Sequence, residues 1–148
     1  HVALTHRHPR VLKAADTLVC LLGLVAAGEP LRGAIEAHAT DWIAPQRLHH
    51  WSQEDDREVV GLRLSAACYI EQAFPAALYL AWKYHDDFTA GITANARVGG
   101  DNCHRGAVVG SLLGLALDVP SAWFEGLKDA PERSPTTPPT PRKETPWR

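Results

Sequence analysis

The sequence predicts an all-α fold, and three observations carry the prediction. Apolar residues recur at helical spacing through most of residues 9–117. No stretch alternates apolar and polar residues long enough to suggest a sheet, and no internal repeat is present. Proline, glycine and aspartate stand where helices should begin and end.

His8-Pro9 opens the first helix, because the missing N–H of proline falls where a helix leaves its amides unpaired anyway. Val11, Leu12, Ala15, Leu18, Val19, Leu22, Val25 and Ala26 form a broad apolar face. The polar side, Lys13, Asp16 and Thr17, ends early, so the second half of this helix is expected to be buried nearly all round, and Gly28 is its stop. Glu29-Pro30 starts a shorter helix with Leu31, Ala34 and Ile35 inward. Residues 41–57, which include His49-His50 and Glu54-Asp55-Asp56, read as a polar surface loop with at most one short helix. Val59–Leu62 reads as a brief extended piece. Pro75 interrupts the apolar run 65–84, and the residue before a proline avoids the α region, which sets a helix start near Phe74. Asp86 or Asp87 caps the next helix, on which Phe88, Ile92 and Asn95 share a face. Arg97–Gly100 breaks the pattern, a last long helix runs from about Asn102 to Leu117, and a short piece at Ser121–Leu127 closes the body.

In the last long helix Gly106, Gly110 and Gly114 line one face. Each glycine costs about 1 kcal/mol against alanine in a helix interior. Close approach of another helix would offset that cost, so this face is expected to pack within the core.

The 148 residues amount to one domain, 45% hydrophobic and 22% charged, with net charge −2. These values exclude a disordered, collagen-like or coiled-coil chain and give no reason to expect a nucleic-acid or anionic-membrane partner. Thr17–Gly28 is too short to span a bilayer and lacks the flanks of a signal peptide. Residues 131–148 stand apart, with six Pro and four Thr among 18 residues, and are expected to be a disordered tail to a domain at 1–130. The sequence opens at His1 and contains no Met, so a trimmed or partial chain is expected. Cys20, Cys68 and Cys103 are odd in number and no pair has CxxC spacing, so no disulfide framework is expected. Cys20 and Cys68 lie in apolar surroundings and are expected to be buried, and a reducing, cytoplasmic compartment fits. Trp42, Trp51, Trp82 and Trp123 are expected to be packing aromatics, and His6 and His8 surface or packing residues.

The segment richest in chemistry is Asn95–Gly106. Gly99-Gly100 allows a tight turn, and Asp101 follows at the mouth of a helix. Its carboxylate could cap the helix, or face outward to a cation with Cys103 and His104 converging on the same ion. Asp with Cys and His suits zinc, whereas Asp with waters suits magnesium.

The turn Gly99-Gly100-Asp101-Asn102-Cys103-His104 and the Gly/Ala-rich helix Gly106–Gly114 resemble the ADP-ribosylglycohydrolase family, which includes the dinitrogenase-reductase-activating glycohydrolases and has a Gly-Gly-Asp-Thr-Asp-Thr turn near its C-terminus. Phe74–Ala81, Asp87-Phe88…Ala94-Asn95 and Leu4-Thr5-His6…Pro9 resemble it too. The likeness covers roughly residues 1–127 and the C-terminal portion of the family only. It implies a helical fold around a cleft with two magnesium ions, and hydrolysis of the bond joining ADP-ribose to a protein side chain or to a related O-linked acceptor. Carried over, Asp101 matches the first metal ligand of the turn, Cys103 stands at the second Asp and His104 at the last Thr. Cys and His are poor magnesium ligands, which leaves a changed metal such as zinc, a single remaining ion and altered chemistry all open. The family's Gly-Asp-Ala-type and Thr-Asp-Asp-Thr-type motifs have no counterpart here. The expected partners are ADP-ribosylated proteins or ADP-ribose-containing small molecules, and further copies of the chain through exposed apolar surface. Two functional classes follow: part of a hydrolase that is inactive by itself, or a non-catalytic helical domain that keeps the fold for binding or structure.

Overall fold

The computed structural model describes residues 1–127, all helices, turns and loops, with no strand among the described residues. The Pro/Thr-rich segment 131–148 and the expected boundary at residue 130 lie outside them. After a 3-10 turn at Val2–Leu4 come α1 (Pro9–Ala26), α2 (Leu31–His38) and α3 (Pro45–Trp51). The single turn α4 (Asp56–Glu58) runs into a π-helix, Val59–Arg63. Then follow α5 (Ile70–Lys83), α6 (Phe88–Val98), α7 (Asn102–Ala116) and α8 (Ser121–Glu125). No described helix is long and apolar enough to cross a membrane.

α7 packs against α6, α5 and α1, and α2 closes over α1 and α5. α5 is buried continuously from Phe74 to Trp82, and its Leu78, Tyr79, Leu80 and Trp82 meet Leu21, Ile35, Leu48 and Leu112 in one core. The glycine face of α7 lies on the expected face of α6, residue against residue. A Cβ at Gly114 would stand 3.6 Å from Phe88, at Gly110 3.5 Å from Ile92, and at Gly106 only 2.8 Å from the Asn95 amide nitrogen. The close approach that offsets three helical glycines is this α6–α7 contact.

Asp87 caps α6, its Oδ1 accepting the Ala90 N–H at 2.8 Å. Gly28 turns the chain out of α1 with φ +97°. Leu31, Ala34 and Ile35 are buried as expected, and so are Trp42, Trp51 and Trp82. Trp123, expected to be a packing aromatic, is 40% exposed and makes only an edge-on contact with Phe88 at 5.7 Å. His6 and His8 are exposed.

Five expectations need correction. α5 begins at Ile70, not near Phe74, because the Gln72 and Ala73 amides already bond to the Tyr69 carbonyl before Pro75 is reached. Pro75 then withholds a single amide from a helix held by its buried face. Val59–Leu62 is helical rather than extended: α4, capped by Asp55, delivers the chain in helical conformation, and Leu64 N–H bonds to Val59 C=O at 3.0 Å. Burial of Val59 and Val60 overrides the strand preference of their branched side chains. Residues 41–57 are not all surface, since Trp42, Ile43, Leu48 and Trp51 enter the core, and His49-His50 sit on the last turn of α3. α1 is not buried all round: α2, α5 and α7 cover one side, and Val19 on the other is 69% exposed. Cys20 on that open side and Cys68 in the loop before α5 are exposed rather than buried.

Candidate functional site

The Gly-Gly-Asp turn joins α6 to α7. Gly99 and Gly100 both take positive φ, +76° and +66°, a region that side chains with a Cβ rarely adopt. A Cβ on Gly100 would also strike the Ala66 carbonyl oxygen, the same oxygen that accepts the Asp101 N–H at 2.8 Å. The loop before α5 and the turn before α7 are thereby locked together.

Asp101 stands at the N-cap of α7, yet its carboxylate caps nothing. Instead Oδ1 lies 2.7 Å from Nδ1 of His104, one turn on, whose ring is largely in solvent. The turn therefore brings Asp101 and His104 together. Cys103 goes elsewhere, its exposed thiol 3.8 Å from the Asn102 side-chain oxygen. Among the described residues no group of three or more His, Cys, Asp and Glu side chains could hold a metal ion. One carboxylate, one imidazole and a diverging thiol do not fit the two-magnesium site that the resemblance implies, since magnesium demands an octahedron of oxygens.

Arg105, named in the sequence only as part of a polar helix start, is 3% exposed. Its Nε donates to Asn95 Oδ1 at 2.7 Å, and its Nη2 to the carbonyls of Asn95 at 3.2 Å and Gly99 at 2.7 Å. It thus satisfies carbonyls at the C-terminal end of α6 with a cation, the favourable sign at that pole. Asn95 in turn donates from Nδ2 to Asn102 C=O at 2.9 Å, so α6, the turn and α7 share one network. Burial lowers the pKa of Arg105, and the charge of Asp101 partly restores it. Its Nη1 is buried with no hydrogen-bond partner. Beside it, between α5 and α7, lies a pocket of about 300 Å³ whose wall includes Phe74, Ala77, Val108, Arg105, Asp101 and Cys68.

A second cluster escaped the sequence reading. Asp56 accepts from Tyr79 Oη at 3.0 Å, Lys83 Nζ at 2.8 Å and Tyr84 Oη at 2.6 Å. Burial first, then the Asp56 charge, pushes the Tyr79 phenol well above its ordinary range; burial and the hydrogen bond to Asp56 do the same to Tyr84. The usable signal was Tyr79–Lys83, one helical turn apart at the end of an apolar run, where a half-buried ammonium needs a carboxylate. An open groove of about 570 Å³ borders this cluster, walled by Asp55, Arg57, Tyr84, Asp87, Thr93 and Arg97.

No curated protein and no solved structure gives a significant match to the chain. A family model does: that of ADP-ribosylglycohydrolase, over residues 1–139, twelve residues beyond the likeness read from the sequence and into the Pro-rich segment. With nearly the whole chain matched, and the Gly-Gly-Asp turn opening a glycine-faced helix in an all-helical bundle, the chain belongs to the ADP-ribosylglycohydrolase family.

Proposed function

We propose that this chain contributes the Gly-Gly-Asp side of an ADP-ribosylglycohydrolase cleft and does not by itself hydrolyse ADP-ribosyl bonds. The ligand class is an ADP-ribosylated protein or an ADP-ribose-containing small molecule. The observation that carries the proposal is the state of the turn: Asp101, its one matching carboxylate, is held by His104 at 2.7 Å, and Cys103 turns away. A water that attacks the ribose carbon must be polarised and the leaving group stabilised, and a single carboxylate already engaged by an imidazole does neither strongly. Any metal affinity of Asp101 with His104 favours zinc over magnesium by donor type, and Cys103 would join only by swinging its thiol away from Asn102. The same observation favours the second reading, a domain that keeps the family scaffold for binding. Three free, exposed cysteines agree with a cytoplasmic, reducing setting.

The test is release of ADP-ribose from ADP-ribosyl-arginine, followed with and without magnesium. No release above the uncatalysed rate is expected. Magnesium-dependent release that Asp101→Ala abolishes would contradict the proposal.

A further inference from the structure

Among the described residues, the C-terminal end of the body presents uncovered apolar surface. At the end of α7, Val119 and Phe88 lie over Gly114, whose Cβ would stand 3.3 Å and 3.6 Å from them. Trp123 of α8 sets its ring edge-on to Phe88 at 5.7 Å and is still 40% exposed. Leu127 follows one turn on, its N–H bonded to Phe124 C=O at 3.1 Å, and is 55% exposed. The Trp123 ring and Leu127 form a ledge where the chain leaves the described residues. A tryptophan carries a large apolar surface, and leaving it open to water is unfavourable. Two observations point to what covers it. The family match runs on through residues 128–139, so this stretch belongs with the domain. The same stretch contains Pro131, Pro135, Pro138 and Pro139. Pro135 and Pro138 are three apart, which puts them on one edge of the extended helix that prolines favour, the form that docks on aromatic surfaces. Residues 128–134 can span up to about 22 Å in that form. That is enough to turn back over a ring that stands one helical turn, about 6 Å, before Leu127.

We propose that residues 131–139 of the same chain cover this ledge, with Pro135 and Pro138 against the Trp123 ring. Proline suits the task on two counts. It has no N–H to leave unpaired against an apolar surface, and it has little conformational freedom to lose on docking. The contact closes the C-terminal end of the body and withdraws Trp123 from the surface offered to other molecules. It does not depend on the hydrolase reading.

The experiment is proton nuclear magnetic resonance of the full chain, since a proline packed on an indole face has its ring protons moved upfield. Pro135 and Pro138 should show such shifts, with Overhauser cross-peaks to the Trp123 ring. Both should vanish in Trp123→Leu and persist in Trp147→Leu, which removes the tryptophan nearer in sequence to the C-terminus. Because Trp123→Leu also gives up the contact with Phe88, Pro135→Ser/Pro138→Ser is the second arm. It leaves every described residue in place and should move the Trp123 indole N–H resonance while those of Trp42 and Trp82 stay. Ordinary shifts at both prolines, shifts that follow Trp147 instead, or a Trp123 resonance unmoved in the double variant would overturn the proposal. So would shifts that fade on dilution by about tenfold, which would assign the ledge to the segment of a second copy.

Discussion

Asp56 shows what a single side chain can hold in this fold. One carboxylate receives two phenols and an ammonium, and its side chain and that of Lys83 are 14% and 19% exposed. Asp56→Ala should therefore destabilise the chain by about 3 kcal/mol, since it leaves the Lys83 ammonium with only neutral partners, the Glu54 carbonyl and Tyr79 Oη, and urea denaturation would read the loss. Asp56→Asn, which still accepts from the phenols, should lose less. The phenols make a separate prediction about pH. Both pKa values lie above the ordinary 10.0 in the folded chain, so the unfolded chain releases these protons first. Their contribution is intact below about pH 10 and falls as pH rises beyond it. Urea midpoints should decline from pH 10 to 11, and less steeply in Tyr84→Phe; an equal decline in that variant would contradict the assignment. Asp101 and His104 were legible in the sequence because the Gly-Gly turn marks them. Asp56 and Arg105 were not, because their meaning lies in partners far along the chain: Asp56 binds residues 23 to 28 positions away, and Arg105 binds Asn95 across the turn.

At the scale of elements, α6 and α7 interlock through side chains on one helix and their absence on the other. Gly110→Ala places a methyl at ordinary contact distance from Ile92, 3.5 Å, so the helix-propensity gain of about 0.5–1 kcal/mol should appear as added stability. Gly91→Ala places one inside the Leu113 side chain, with Tyr84 at 3.1 Å, and should cost about 1–3 kcal/mol. Thermal unfolding of the two variants should move in opposite directions; movement in the same direction would mean that the packing is not as described. Asp87→Ala removes the α6 cap and should cost about 1 kcal/mol. This interlock was legible in outline, since the two faces, Phe88-Ile92-Asn95 and Gly106-Gly110-Gly114, follow from spacing alone. The start of α5 and the π-helix were not, because local rules for Pro75 and for Val59-Val60 lose to burial of the same residues.

At the scale of the whole molecule, the all-helical class followed from periodicity, but which faces stay open did not, since periodicity marks an apolar face without naming what covers it. Val19, Leu62 and Tyr69 are 69%, 82% and 69% exposed. Self-association at roughly tens of micromolar, with binding of a hydrophobic dye, is expected from such surface. Monomeric sedimentation without dye binding would contradict it. On the proposal above, the chain keeps the scaffold of the ADP-ribosylglycohydrolase turn without its magnesium donor set. Calorimetric titration of the chain and of Asp101→Ala with magnesium and with zinc tests this most directly. Magnesium should show no tight binding, and zinc binding, where present, should weaken in Asp101→Ala. Tight magnesium binding that depends on Asp101 would contradict it.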